Sequence, residues 1–103
     1  MKWTRHIKNK MVFYHLSAST IMRILRSAER TEEGIAPDTS AAMRVKKSVG
    51  ANNPREEEIW IMYQTKPAKK IIMISAWRYP GRTKPGAPIP IPDDIADMLA
   101  KLT

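Results

Sequence analysis

The most apolar and most β-prone part of the chain reads Ile71-Ile72-Met73-Ile74-Ser75-Ala76-Trp77-Arg78-Tyr79. Isoleucine and aromatic residues are enriched in strands, and a nearly continuous apolar run is typical of a strand that is buried on both faces. We therefore predict that residues 71–79 form a central strand, around which the rest of a sheet assembles.

Two further strands are predicted on the N-terminal side of this stretch. Residues 58–65 alternate between two sets of side chains, and residues 39–49 contain a Met43/Val45 alternation with Arg44, Lys46 and Lys47 between, as half-buried strands do. The composition of residues 50–54, Gly-Ala-Asn-Asn-Pro, predicts a turn, and residues 66–69 are expected to form a hairpin connection. These connections predict an antiparallel meander.

Two short amphipathic helices are predicted before the strands. The apolar stripe of the first comprises Trp3, Ile7, Met11 and Tyr14, and that of the second comprises Ile21, Ile24, Leu25 and Ala28. Ser17 or Ser19 is expected to cap the second helix, because a serine side chain accepts a hydrogen bond from a free amide of the first turn. Gly34, which follows Glu32-Glu33, is expected to end this helical segment.

The C-terminal part of the chain is rich in proline. Residues 81–92 are predicted to form an extended arm, because proline lacks the amide hydrogen that a strand or helix needs. Asp93-Asp94 is expected to cap a last helix over residues 93–103. The expected fold class is α+β: one domain over residues 1–103, with two N-terminal helices packed on a three- or four-stranded antiparallel sheet. The second sheet face would be exposed or covered by a partner.

The charge balance points to an anionic partner. The 103 residues include 18 Lys and Arg against 10 Asp and Glu, which gives a net charge of +8. Nucleic acid is the first expectation, and a basic surface that serves only solubility is the alternative. The absence of cysteine excludes a disulfide scaffold and a thiolate metal site. With no membrane-spanning apolar run and no secretory signal, a cytoplasmic protein is expected.

Neither a metal nor a cofactor is expected. His6 and His15 do not share a helix face, and the glycines are not spaced as in a phosphate-binding loop. RNA cleavage needs neither group, because the 2′-hydroxyl is an internal nucleophile once the protein supplies a base, an acid and a cation. The candidate catalytic residues of these types are His6, Lys10, Arg44, Arg78 and Tyr79.

A second set of residues is expected to bind nucleic acid. Arginine and lysine pair with phosphates, and a tryptophan can stack on a base. The candidates are Arg5, Lys8, Arg23, Arg26, Arg30, Lys46, Lys47, Trp77, Arg82 and Lys84. The alternative is structural: the helical arginines would form a solvated face, and Trp77 would pack on the sheet.

Two segments resemble known families. The opening, His6-x-x-x-Lys10-Met11-x-x-Tyr14-x-Leu16-Ser17, resembles that of small bacterial proteins of unknown function whose signature is His, three residues, Arg-Met, two residues, Arg-Gly-Ile-Ser. The His, Met and Ser match in register, Lys10 and Leu16 replace Arg and Ile, and Tyr14-His15 departs from Arg-Gly. Residues 74–78, Ile-Ser-Ala-Trp-Arg, resemble the Ile-Ser-Ala-Arg strand of BrnT-type toxins. Both groups are similar to RelE-like ribonuclease toxins.

The resemblance implies a small metal-independent endoribonuclease that acts on RNA, free or on the ribosome. Such a protein would be the toxin of a toxin–antitoxin pair, and a cognate antitoxin would cover its sheet face or cleft. His6 and Lys10 would then lie beside the sheet, and Arg44, Arg78 and Tyr79 on it. The arm and the last helix have no counterpart in the signature. If they pack on the sheet in place of an antitoxin, a non-catalytic nucleic-acid-binding or protein-interaction module is favoured instead.

Overall fold

The structure is a computed structural model that describes residues 1–34, 38–48, 55–67 and 70–100. Five strands and three helices are seen in these ranges. In chain order they are β1 (Lys2–Trp3), α1 (Arg5–Phe13), α2 (Ala18–Arg26), β2 (Arg30–Glu33), β3 (Thr39–Ser48), β4 (Arg55–Lys66), β5 (Lys70–Pro80) and α3 (Asp93–Ala100). No helix within the described ranges is long and apolar enough to cross a membrane.

The strands form one sheet in the order β1-β5-β4-β3-β2. All neighbours are antiparallel except β1, which runs parallel to β5 and pairs with it only at Ile72 and Met73. The predicted α+β class is therefore confirmed, but the sheet is mixed and has five strands, not three or four antiparallel ones. The three predicted strands are present as β3, β4 and β5. The predicted turn at residues 50–54 lies outside the described residues, as does part of the hairpin connection at residues 66–69.

The two strands that the sequence missed are short and lie at the sheet edges. Trp3 was expected to begin the first helix, but it lies in β1. Directly after β1, the Thr4 amide donates a hydrogen bond to the Met73 carbonyl of β5. Glu32 and Glu33 were expected to end a helical segment, but they lie in β2, paired with β3. Charged residues are common in edge strands, where they discourage pairing with other chains. A pattern of apolar spacing therefore does not reveal either strand.

The helices α1 and α2 cover one face of the sheet. Thr4 caps α1 and Ser17 caps α2, each accepting a hydrogen bond from the amide three residues ahead. The prediction of Ser17 as a cap is thereby confirmed. The helices bury their apolar stripes against alternate residues of β3, β4 and β5, and the core of this layer contains Ile7, Leu16, Ile21, Ile24, Ala42, Ile59, Ile61, Met73 and Ala76.

The second face of the sheet is covered by the proline-rich arm and α3. Trp60 and Trp77 lie on this face with their rings stacked, 6.3 Å between centroids and 8° from parallel. Both side chains are fully buried, and the Trp77 indole donates a 2.7 Å hydrogen bond to the Pro90 carbonyl. Ile95 of α3 is also fully buried in this layer. α3 is described to Ala100, so the last three residues of the predicted helix lie outside the described ranges.

A buried carboxylate attaches the arm to the sheet. Glu58 of β4 is fully buried and accepts hydrogen bonds from the Trp60 indole, from the Thr83 amide at 2.9 Å and from the Thr83 hydroxyl at 2.8 Å. The Thr83 hydroxyl in turn accepts a 2.7 Å hydrogen bond from Arg30, which also donates to the Ala87 carbonyl. Buried charges are tolerated only when they are paired and hydrogen-bonded, so these contacts fix the position of the arm.

The variant Thr83→Val should destabilise the protein by about 1–3 kcal/mol, because it leaves two buried charged groups without their shared hydroxyl. The free energy of unfolding is measured by urea denaturation. Thr65→Val is the matched control, since Thr65 is exposed on the same sheet and its substitution should change stability little. Equal stability of the two variants would contradict this role of Thr83.

Candidate nucleic-acid interface

A basic groove lies between α2 and the paired ends of β3 and β4. Its volume is about 330 Å³, and its cationic residues are Arg23, Arg44, Lys46 and Lys47. Arg44 and Lys46 are two residues apart on β3, so both project toward the helical face, where α2 contributes Arg23 and Thr20. The floor of the groove is Ile59, the register partner of Arg44 on β4. We call this surface the basic groove below.

The cations of the basic groove are only partly neutralised. Lys47 lies 3.9 Å from Glu56, which is an exposed ion pair, and Arg44 donates a hydrogen bond to the Ser27 carbonyl at the end of α2. Within the described residues, Arg23 and Lys46 have no carboxylate partner, and both are exposed. The groove therefore presents net positive charge with donors free to bind an anion.

Arg78 lies near the basic groove but is engaged by protein groups. Like Arg44, it is a register partner of Ile59, so the two arginines are two strands apart, roughly 10 Å. Its guanidinium donates to the Tyr14 carbonyl at 2.6 Å and to the His15 carbonyl at 3.0 Å, and it pairs with Glu57. His15 has a positive φ of 55°, so Arg78 stabilises an unusual turn between α1 and α2.

His6 and Lys10 lie on the other side of the helical layer. The His6 Nε2 atom is 2.9 Å from the Ser75 hydroxyl, and Lys10 forms an ion pair with Asp94 at the start of α3. Burial and the positive charge of Lys10 lower the pKa of His6, and the charge of Asp94 only partly opposes them. The His6 ring is therefore neutral near pH 7.

The five candidate catalytic residues do not share one cleft. His6 contacts Ser75, which is the register partner of Met62, whereas Arg44 is the register partner of Ile59. The two sites are thus three residues apart along the sheet and two strands apart across it, roughly 10 Å in each direction. Tyr79 packs in the opposite layer, with the arm. Arg78 and Tyr79 line one pocket beside the arm, together with Tyr14. The structure therefore places the five predicted catalytic residues at three locations: His6 with Lys10, Arg44 in the basic groove, and Arg78 with Tyr79.

The candidate nucleic-acid-binding residues also divide. Arg23, Lys46 and Lys47 are in the basic groove, whereas Arg5, Lys8, Arg26 and Lys84 are exposed elsewhere and Arg82 pairs with Glu56 at 3.6 Å. The prediction that Arg30 and Trp77 bind nucleic acid is wrong, because both are buried beneath the arm. There Trp77 stacks on Trp60, and the Arg30 guanidinium lies 5.2 Å from the centroid of the Trp60 ring. Neither offers a surface to a base or a phosphate.

Two residues near these surfaces were missed from the sequence. Thr20 lines the basic groove, and Phe13 is exposed at the end of α1. Phe13 follows Lys10 by three residues and stands off the apolar stripe of its helix, which is the signal that could have singled it out. Thr20 carries no such signal, because its place in the groove depends on how α2 packs.

Searches of protein-family models, of curated proteins and of solved structures return no significant match to this chain. The relationship to BrnT-type and RelE-like toxins therefore stays a prediction from the sequence. Among the described residues, no three His, Asp or Glu side chains are grouped where they could hold a metal ion.

Acidification should weaken the fold through His6. Because the pKa of His6 is lowered in the folded state from 6.5, the unfolded chain binds this proton more readily. The stability that neutral His6 contributes is complete at pH values above the pKa that His6 has in the unfolded chain. It is lost as the pH falls below that pKa and through the lower pKa of the folded protein. Thermal denaturation between about pH 7.5 and about pH 5.5 should show a smaller decrease in Tm for His6→Gln than for the wild type.

The effect of Lys10 on the pKa of His6 can be measured directly by NMR. Lys10→Met removes the positive charge that disfavours the imidazolium, so the pKa of His6, followed by NMR of its ring protons, should rise toward 6.5. An unchanged or lower pKa in this variant would contradict the assigned cause.

Proposed function

We propose that the protein binds the phosphodiester backbone of nucleic acid through the basic groove, with RNA as the class favoured by the sequence resemblance. The observation that carries this proposal is the clustering of Arg23, Arg44 and Lys46 on one open surface. Lys47, the next residue of β3, lines the edge of the groove, but its side chain projects toward the other sheet face and pairs with Glu56. A basic surface that served only solubility would spread its charges, because like charges in proximity repel one another. The net charge of +8 adds long-range attraction for a polyanion.

The cover on the second sheet face supports a binding module that acts without an antitoxin. In the toxin hypothesis a partner protein covers the sheet, whereas here the arm and α3 of the same chain occupy that face. The separation of His6 from Arg44 also supports binding without turnover, because a base must reach the same phosphodiester as the cation.

The test is a pair of double variants with the same loss of charge. Arg23→Gln/Lys46→Gln removes two exposed cations from the basic groove. Lys66→Gln/Lys70→Gln removes two exposed cations that are register partners where β4 ends and β5 begins, at the end of these strands away from the groove. Binding of a labelled RNA of about twelve nucleotides is followed by fluorescence anisotropy from about 50 to about 200 mM salt.

The groove variant should bind more weakly, and its slope of log K against log salt should flatten by about 1.4, or about 0.7 for each lost contact to a single strand. The control variant should keep the wild-type slope. Equal losses in the two variants would mean that only net charge matters, and no binding by the wild type at low salt would overturn the proposal.

RNA cleavage without a metal is the second candidate function, favoured by one observation. His6 contacts the Ser75 hydroxyl and lies beside Lys10, and burial and the Lys10 charge lower its pKa. A neutral imidazole that could act as a base is therefore next to a cation that could hold a phosphate, although Asp94 also pairs with this cation. On this hypothesis the protein is a toxin-like endoribonuclease, and an antitoxin would be its natural partner. Incubation of RNA with the protein in EDTA separates the candidates: a binding protein leaves the RNA intact, whereas cleavage that His6→Gln abolishes would establish the enzyme.

A further inference from the structure

Lys47 and Arg82 share the carboxylate of Glu56. On the sheet face that the arm covers, Glu56 lies 3.9 Å from the Lys47 ammonium and 3.6 Å from the Arg82 guanidinium. The Lys47 side chain is 72% exposed and that of Arg82 is 55% exposed, so both cations reach solvent. One negative charge faces two positive ones, and this cluster therefore keeps an excess of positive charge on the face opposite the basic groove.

The backbone of Arg82 is fixed on both sides. The Gly81 amide donates a 2.9 Å hydrogen bond to the Glu56 carbonyl, and the Thr83 amide donates to the buried Glu58 carboxylate. The φ of Gly81 is 90°, which glycine adopts without strain, and the chain turns here from β5 into the arm. The arm therefore holds Arg82 beside the start of β4, while its side chain remains free to bind a ligand.

The cluster is continuous with the basic groove through two adjacent residues of β3. Lys46 and Lys47 are neighbours in the chain, so their side chains project to opposite faces of the sheet. Lys46 lines the groove on the helical face, whereas Lys47 pairs with Glu56, its register partner, on the face that the arm covers. A polyanion that passes around the edge of β3 therefore contacts Lys46, Lys47 and Arg82 in turn.

The edge of β3 is open at this level. β2 pairs with β3 only as far as Met43, so within the described residues no strand lies beside residues 44–48. The Glu29 carboxylate accepts a hydrogen bond from the Val45 amide at the start of this stretch, and Lys46 and Lys47 beyond it are exposed. One ligand can thus contact both faces of the sheet at this edge.

The Glu56 carboxylate is a replaceable partner for its two cations. Exposed ion pairs contribute little to stability, because water screens both charges and long side chains lose conformational freedom when they pair. A phosphodiester is an anion that pairs with the same cations through charge-assisted hydrogen bonds. We propose that nucleic acid in the basic groove continues around the edge of β3 to Lys47 and Arg82, where its phosphates replace Glu56. This inference rests on the proposed function, and it adds the path of the ligand and a carboxylate that competes with it.

The first experiment removes the competing carboxylate. Glu56→Gln keeps the shape of the side chain, and it should tighten binding of the labelled RNA of about twelve nucleotides about two- to fivefold at about 50 mM salt. Glu33→Gln is the matched control, because it changes the net charge equally at an exposed position of β2, which pairs with the opposite end of β3. It should bind like the wild type. Misfolding does not produce tighter binding, so a gain in Glu56→Gln is specific.

The second experiment removes the cation on the arm. Arg82→Gln should weaken binding and flatten the slope of log K against log salt by about 0.7, as expected for the loss of one contact to a single strand. Lys70→Gln is the matched control, because Lys70 is exposed at the end of β5 away from the arm. It should keep the wild-type slope.

The outcomes separate this inference from the proposed function. If Glu56→Gln binds no more tightly than Glu33→Gln, or if Arg82→Gln has the same slope as Lys70→Gln, the path around β3 is overturned. Weaker binding by Arg23→Gln/Lys46→Gln would still support the basic groove in that case. If the wild type does not bind the RNA at low salt, the proposed function fails, and the path fails with it.

Discussion

The buried carboxylate of Glu58 determines whether the sheet can be closed on its second face. It accepts hydrogen bonds from the amide and the hydroxyl of Thr83. The same hydroxyl accepts a hydrogen bond from Arg30 on the edge strand β2. A carboxylate and a guanidinium are unfavourable in an apolar layer unless each finds its partners. The arm supplies Thr83 to both groups and the Ala87 carbonyl to Arg30, while Trp60 and Glu32 of the sheet supply further contacts. The stacked Trp60 and Trp77 are buried beneath the arm. The polar contacts fix the position of the arm, and the apolar contacts stabilise it there.

Closing both faces leaves the surface of the helical layer and the sheet ends for binding. The basic groove is formed there because α2 crosses β3 and leaves Arg44 and Lys46 uncovered. Arg78, at the same level of the sheet, is used instead to hold the turn after α1. That turn sets the position of α2, so one arginine without a ligand role orients the helix that forms one side of the basic groove.

Much of the fold is predictable from apolar spacing, because the long strands β3, β4 and β5 carry strong local signals. The strands β1 and β2 are not: β1 exists through pairing with the distant β5, and β2 carries charged side chains instead of an apolar alternation. For the site, Arg23, Lys46 and Lys47 were predicted from charge alone. The burial of Arg30 and Trp77 could not be, because it depends on where the arm docks. Residue type indicates what a side chain can bind, and only packing decides whether it is accessible.

The covered tryptophan face has a consequence for biosynthesis. The arm follows β5 in the chain, so a ribosome completes the entire sheet before it produces the residues that shield Trp60 and Trp77. During that interval the nascent sheet exposes an apolar surface, and the Glu58 carboxylate has no hydrogen bond from Thr83. Such surfaces associate readily at cellular concentrations. A chain released before Thr83 would therefore depend on chaperones to stay out of aggregates.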